Sequence, residues 1–136
     1  MILVDTGPLV AVANVRDAAH VECTRLLEGL PGPLFVPAPV LTEVCYLLES
    51  RCGPELEAEF LADAADGVIE LIDLTRADLA RMAELVRTYA DLPLGAVDAA
   101  VVATAERLGV TDVATLDRRH FSIVRPRHVG AFTLLP

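Results

Sequence analysis

The chain has 136 residues, which suits one domain, with 54% hydrophobic residues, a mean hydropathy of +0.49 and a formal net charge of -9. This hydropathy predicts apolar surface buried against another chain, and the net charge argues against binding of nucleic acid through a basic surface alone. All 11 basic residues are arginine, which excludes lysine-dependent phosphate loops, Schiff-base catalysis and phosphoaspartate sites that need a lysine.

The sequence shows neither a membrane span nor a secretory signal, and this predicts the cellular compartment. No stretch reaches the ~18 apolar residues of a membrane span, because Asp5, Glu43 and Asp98 interrupt the most apolar regions. The N-terminus has neither the basic region nor the cleavage site of a secretory signal. The three cysteines show no C-x-x-C spacing, so neither a disulfide framework nor a zinc site is indicated. We expect a soluble, cytoplasmic protein.

Strands and helices alternate along the chain. In the first half, the pattern predicts a strand at 2–4, helices at 9–14 and 17–28, a strand at 34–36, and helices at 39–51 and 54–65. In the second half, it predicts a strand at 68–74, helices at 76–90 and 94–108, and strands at 113–116 and 131–135. This alternation predicts an α/β fold whose mostly parallel central sheet is covered on both faces. Without a repeat or linker, residues 1–136 are expected to form one domain.

Two of the predicted strands each end on an aspartate, Asp5 and Asp117. Ligands of open parallel sheets bind at the carboxyl ends of the strands, so these two side chains are expected to share one edge. An aspartate after a strand is also a common helix cap, and that alternative stays open for each residue.

Two further acids occupy the apolar faces of predicted helices, Glu43 in the helix at 39–51 and Asp98 in the helix at 94–108. A carboxylate on a core face is costly unless it is paired or binds a metal. Pairing with an arginine is the alternative, although neither acid has an arginine three or four residues away. Four acids at one edge need a cation to ionise together, and their oxygens favour Mg²⁺ or Mn²⁺.

Four segments carry a family resemblance: Ile2-Leu3-Val4-Asp5-Thr6, Pro39-Val40-Leu41-Thr42-Glu43-Val44, Asp91-Leu92-Pro93-Leu94 through Asp98-Ala99, and Ala114-Thr115-Leu116-Asp117-Arg118. Together, in this order, they resemble a PIN domain of the VapC toxin type. The resemblance implies an α/β/α sandwich and a Mg²⁺-dependent endoribonuclease toxin with a cognate antitoxin. It also implies a catalytic and metal-binding quartet of Asp5, Glu43, Asp98 and Asp117.

The resemblance extends to supporting residues, with one departure. Thr6 and Thr115 match hydroxyl positions that commonly support such a site, although Thr6 can equally be a helix N-cap. Many relatives carry a further aspartate where this chain has Gly95. Whether Asp91 compensates, and how many metal ions bind, stays open.

A cationic cluster follows Asp117 and is a candidate RNA-binding surface; its arginines are Arg118, Arg119, Arg125 and Arg127. Solvated surface is the alternative for each of them. Cleavage by a metal-activated water needs no nucleophilic side chain. The rival mechanisms are a metal-free ribonuclease with His120 and His128 as acid and base, and a catalytically silent module that docks a partner protein. The hydrophobic excess predicts a homodimer.

Overall fold

The computed structural model describes residues 1–136 and contains five strands and seven helices. The strands are β1 (Ile2–Val4), β2 (Leu34–Pro37), β3 (Glu70–Ile72), β4 (Asp112–Ala114) and β5 (Thr133–Leu135). The helices are α1 (Thr6–Ala13), α2 (His20–Gly29), α3 (Ala38–Cys52), α4 (Pro54–Ala65), α5 (Arg76–Thr88), α6 (Ala96–Leu108) and α7 (Arg118–Ile123). The expected α/β/α sandwich is confirmed.

All neighbouring strands of the sheet are parallel, in the order β3-β2-β1-β4-β5. The chain builds outward from β1 through β2 to β3, and then crosses to the other side of β1 to add β4 and β5. The strand order therefore reverses between β1 and β4. In open α/β sheets, such a reversal leaves a crevice at the carboxyl ends of the strands, where ligands bind.

The core is centred on β1 and on α6. Leu3 and Val4 of β1 have no solvent exposure, and every residue from Ala99 to Ala105 in α6 is buried. A helix that is apolar over most of its circumference lies in the interior rather than on the surface. The one hydroxyl in this stretch, on Thr104, donates to the Ala100 carbonyl at 2.7 Å. Asp98 thus sits at the start of a helix that the core holds firmly.

The first helix begins earlier than the sequence pattern predicts. The run Thr6-Gly7-Pro8 looks like a turn, yet α1 begins at Thr6. Proline is tolerated there because the first-turn amide that it lacks has no partner within the helix. Conversely α2 begins only at His20, since Asp17 accepts a hydrogen bond from the Ala19 amide at 2.9 Å and holds a turn before it.

The largest difference is α7, where the sequence pattern predicts no helix. Three strands, β3, β4 and β5, are also shorter than predicted, and each spans 3 residues. The three cysteines are free thiols. No helix combines the length and apolar character that a membrane crossing requires.

Candidate active site

The carboxyl ends of β1 and β4 bring two of the four acids to one edge of the sheet. Val4 pairs with Ala114 in the register of these parallel strands, and the Asp5 amide donates to the Ala114 carbonyl at 2.9 Å. Asp5 follows β1 directly, and Asp117 lies three positions after the end of β4. Helices α3 and α6 supply Glu43 and Asp98 at the same edge.

All four acids line one open cleft of about 460 Å³. We call it the acidic cleft; its lining residues are Asp5, Thr6, Gly7, Val10, Asp17, Glu43, Leu47, Arg51, Asp98, Leu116 and Asp117. The predicted convergence of the quartet is therefore observed. Five carboxylates and one arginine line this cleft.

Asp5 is the most deeply buried acid of the cleft, with 6% of its surface exposed. Burial raises the pKa of this carboxyl from its ordinary value of 3.8 to about 6. The Thr6 backbone and the Thr115 hydroxyl oppose the rise, and the charges of Asp98 and Glu43 add to it. Asp5 occupies the N-cap position of α1 without forming a side-chain capping bond. The helix-cap alternative therefore does not explain this acid.

Thr115 links the ends of both strands. It is 1% exposed. Its hydroxyl donates a hydrogen bond to Asp5 Oδ2 at 2.8 Å, and the Thr115 hydroxyl oxygen accepts a hydrogen bond from the Asp117 amide at 2.9 Å. A single buried hydroxyl thus fixes the position of one carboxylate and the backbone of the other. This geometry suits the supporting position that the resemblance implies for Thr115.

His120 lies between two acids of the quartet, a contact that sequence reasoning missed. Its Nδ1 lies 2.7 Å from Asp98 Oδ2 and 3.0 Å from Asp117 Oδ2. The sequence-based alternative for Asp98, pairing with an arginine, is therefore wrong, because its partner is this histidine. Burial raises the pKa of Asp98, while the His120 contact opposes the rise.

Asp117 has two roles in the geometry. Its Oδ1 accepts the His120 amide at 3.2 Å and caps the N-terminus of α7, so the helix-cap alternative is correct for this residue. The carboxylate still lines the cleft. Ligand atoms of Asp98, Asp117 and His120 lie within 4.8 Å of one another, close enough to hold a metal ion.

Thr6 is the first residue of α1 and not its N-cap. Its hydroxyl oxygen is buried without a hydrogen-bond partner in the protein, and the residue lines the acidic cleft. A buried hydroxyl without a partner is costly. Next to it, a Cβ on Gly7 would lie 3.2 Å from the Leu116 side chain, so glycine allows α1 to start close to the end of β4.

Asp91 and Gly95 lie in the segment before α6. Asp91 is exposed and does not line the acidic cleft, so its compensating role stays a prediction. Gly95 is the N-cap of α6 with an ordinary φ of -80°. A Cβ there would meet no atom within 4 Å, so neither strain nor crowding requires glycine at this position.

The four arginines predicted to bind RNA do not line the acidic cleft. The Arg118 guanidinium donates to the Pro136 carbonyl at 2.6 Å, and that of Arg125 donates to the Ser122 carbonyl at 3.2 Å. Arg127 pairs with Glu84 at 2.6 Å. Arg119 is exposed. Their contact with RNA stays a prediction.

The arginine that lines the cleft is Arg51, which sequence reasoning missed. Glu43, Leu47 and Arg51 follow one another at four-residue spacing in α3, and all three line the cleft. Residues four apart share a helix face. That spacing was the available signal, once Glu43 was placed at a site.

The fold and the acidic cleft have counterparts among known proteins. A model of the PIN domain family matches residues 2–125. The chain is 34% identical to Ribonuclease VapC26 of Mycobacterium tuberculosis over 134 residues, which cover 98% of this chain and 99% of that protein. The chain belongs to the PIN domain family, and the resemblance to VapC proteins seen in the sequence is confirmed.

Further relatives agree with this assignment. The 23S rRNA-specific endonuclease VapC20 of Mycobacterium tuberculosis is 30% identical over 118 residues, covering 86% of this chain and 89% of that protein. The crystal structure of VapC20, described as a sarcin-ricin loop cleaving toxin, superposes with a TM-score of 0.78 at 25% identity, covering 83% of this chain and 87% of that one. VapBC2 of Rickettsia felis, bound to promoter DNA, has a TM-score of 0.69 at 18% identity over 98% of this chain and 97% of that one, and supports the fold.

Proposed function

We propose that this chain is a Mg²⁺- or Mn²⁺-dependent endoribonuclease and the toxin of a toxin-antitoxin pair. The observation that carries the proposal is the acidic cleft, where the quartet converges at the point of the sheet where the strand order reverses. Carboxylates gathered in this way repel an RNA phosphate unless a cation lies between them.

The residues of the cleft suit a hard divalent cation. Carboxylate and hydroxyl oxygens are the ligands that Mg²⁺ prefers, and Thr6 offers a buried hydroxyl without a protein partner. The quartet of Asp5, Glu43, Asp98 and Asp117 would hold the ion. When bound, the ion supplies positive charge for the phosphodiester and lowers the pKa of an attacking water.

The protein's own contribution is to fix the carboxylates. Thr115 orients the Asp5 carboxylate, and His120 holds those of Asp98 and Asp117 side by side. Preorganised ligands place a phosphate for in-line displacement without reorganisation during the reaction. No side chain of the cleft needs to act as a nucleophile.

RNA is the proposed substrate because the two named relatives, VapC26 and VapC20, are a ribonuclease and an rRNA endonuclease. By the same relationship, we propose a cognate antitoxin as partner. A homodimer is proposed from the hydrophobic excess alone. Light scattering at micromolar concentration tests it, and a monomer without a bound protein would contradict it.

The metal-free alternative requires His120 and His128 to act on one phosphate. His128 does not line the acidic cleft. It lines a separate depression, together with Asp78 and Arg81 among others, and its Nε2 lies 2.6 Å from the Val110 carbonyl oxygen. The geometry therefore favours the metal-dependent reading.

The test is cleavage of RNA by the purified chain with Mg²⁺, with Mn²⁺ and with excess EDTA. We expect activity with either ion and none with EDTA. Asp63→Asn, which removes a charge from an exposed position of α4 outside the cleft, is the control and should cleave normally. Full activity in EDTA would overturn metal dependence, and no activity under any condition would favour the silent binding module.

A further inference from the structure

The acidic cleft contains a guanidinium that the proposed metal site does not explain. Arg51 is the only basic residue among those that line the cleft, and five carboxylates line the same cleft. It is exposed and forms no salt bridge with any of them. An arginine that lies in an acidic cleft without pairing remains available to an anion.

The helix that carries Arg51 also carries Glu43. The two residues are eight positions apart in α3, which corresponds to about 12 Å along the helix axis at ~1.5 Å per residue. Helical side chains lean towards the N-terminus of their helix. This general tendency brings a long Arg51 side chain nearer to Glu43 than the spacing along the axis alone implies.

Arg51 has a simpler interpretation as a helix-capping charge. It lies in the last turn of α3, where a cation interacts favourably with the helix dipole. That role needs no contact with the cleft. Arg87, in the last turn of α5, is the matched case, because it is exposed, forms no salt bridge and does not line the cleft.

We propose that Arg51 binds a phosphate of the RNA strand that flanks the scissile linkage. A guanidinium binds two non-bridging phosphate oxygens at once, which fixes the register of the strand as well as attracting it. Arg51 would hold the neighbouring phosphate, while a cation held by the quartet would receive the scissile one. The inference rests on the proposed ribonuclease function.

The test compares wild type with Arg51→Gln, Arg51→Lys and the control Arg87→Gln in steady-state RNA cleavage. A flanking phosphate is bound equally before and during the reaction, so its loss raises KM and leaves kcat within a few-fold. Losing one charge-assisted contact should raise KM about tenfold or more for Arg51→Gln. Arg51→Lys should raise KM less than Arg51→Gln does, and Arg87→Gln should leave KM and kcat unchanged.

Two readouts separate a phosphate contact from a structural role. The slope of log KM against log salt concentration should become shallower by about 0.7 for Arg51→Gln, which is the value for one phosphate contact on a single strand. RNAs with one neutral methylphosphonate, placed at each linkage in turn, should reveal one linkage where wild type loses affinity and Arg51→Gln does not.

The outcomes distinguish failure of the Arg51 assignment from failure of the proposed ribonuclease function. Cleavage by Arg51→Gln with wild-type KM and salt slope would overturn the Arg51 assignment and leave the nuclease intact. If wild type cuts no RNA, the proposed function fails, and fluorescence anisotropy with the same RNA tests Arg51 on its own. Equal losses in Arg51→Gln and Arg87→Gln, tracking lower melting temperatures, would show a helix-stabilising role and refute the contact.

Discussion

Replacing Asp5 with asparagine is expected to stabilise the metal-free protein at neutral pH. The Asp5 carboxyl is buried, and its pKa rises from 3.8 to about 6 because burial disfavours the ionised form. Each pKa unit corresponds to about 1.4 kcal/mol, so ionised Asp5 costs the metal-free fold about 3 kcal/mol. Asparagine keeps an oxygen that accepts the Thr115 hydroxyl and removes the charge.

The pH dependence has a defined sign. Between about pH 4 and pH 6 the folded state holds the Asp5 proton and the unfolded state releases it, so wild-type stability falls as the pH rises. Asp5→Asn lacks this proton. The difference in free energy of unfolding between variant and wild type should grow from about 0.5 kcal/mol at pH 4 to about 3 kcal/mol at pH 7.

The assay is urea unfolding in EDTA at one-unit steps from pH 4 to pH 7. Asp63→Asn, at an exposed position outside the cleft, serves as the control for removal of a carboxylate and should not gain the stability expected of Asp5→Asn at pH 7. A pH-independent difference for Asp5→Asn, or a variant less stable than wild type at pH 7, would refute the reasoning. Adding Mg²⁺ should then stabilise wild type more than Asp5→Asn.

Three other substitutions test the remaining geometry. Asp98→Asn should be at least as stable as wild type in EDTA while RNA cleavage falls by orders of magnitude; early melting with retained cleavage would refute the metal-ligand role. Thr115→Val should lower the free energy of unfolding in urea by about 1–3 kcal/mol and lose most of the RNA cleavage activity. Thr115→Ser should keep wild-type stability and activity. Equal effects of the two substitutions would show that packing matters and that the hydroxyl does not. Gly95→Asp adds a carboxylate at an open N-cap, so calorimetric titration should show tighter Mg²⁺ binding, and unchanged affinity would exclude this position from the site.

The convergence of the quartet could be predicted because each acid carries a local signal. Asp5 and Asp117 follow apolar runs short enough to be strands, and parallel strands end at a shared edge. Glu43 and Asp98 break the apolar face of a helix, where a carboxylate is costly. These rules depend on spacing along the chain, which the sequence contains.

The contacts of the C-terminal segment could not be predicted in the same way. With six residues, α7 is too short to show a helical periodicity in the sequence. Its N-cap, Asp117, is also a candidate metal ligand, so this aspartate alone does not indicate a helix. The contact of His120 with Asp98 spans 22 positions and two elements, so it depends on how α7 packs against α6. Arg118 and Arg127 belong to one cationic cluster of the sequence, yet they contact different partners, Pro136 and Glu84 respectively.

The hydrogen bond between Thr115 and Asp5 joins residues 110 positions apart. This hydrogen bond therefore cannot form until β4 has been synthesised and has paired with β1. A growing chain on the ribosome that has not yet released residues 112–117 has no complete acidic cleft, because it lacks Asp117 and the strand β4 that lies beside β1. Closing so long a loop is also slow compared with local folding. Fragments truncated before β4 are thus expected to lack the complete cleft, so synthesis that stops early yields no functional site.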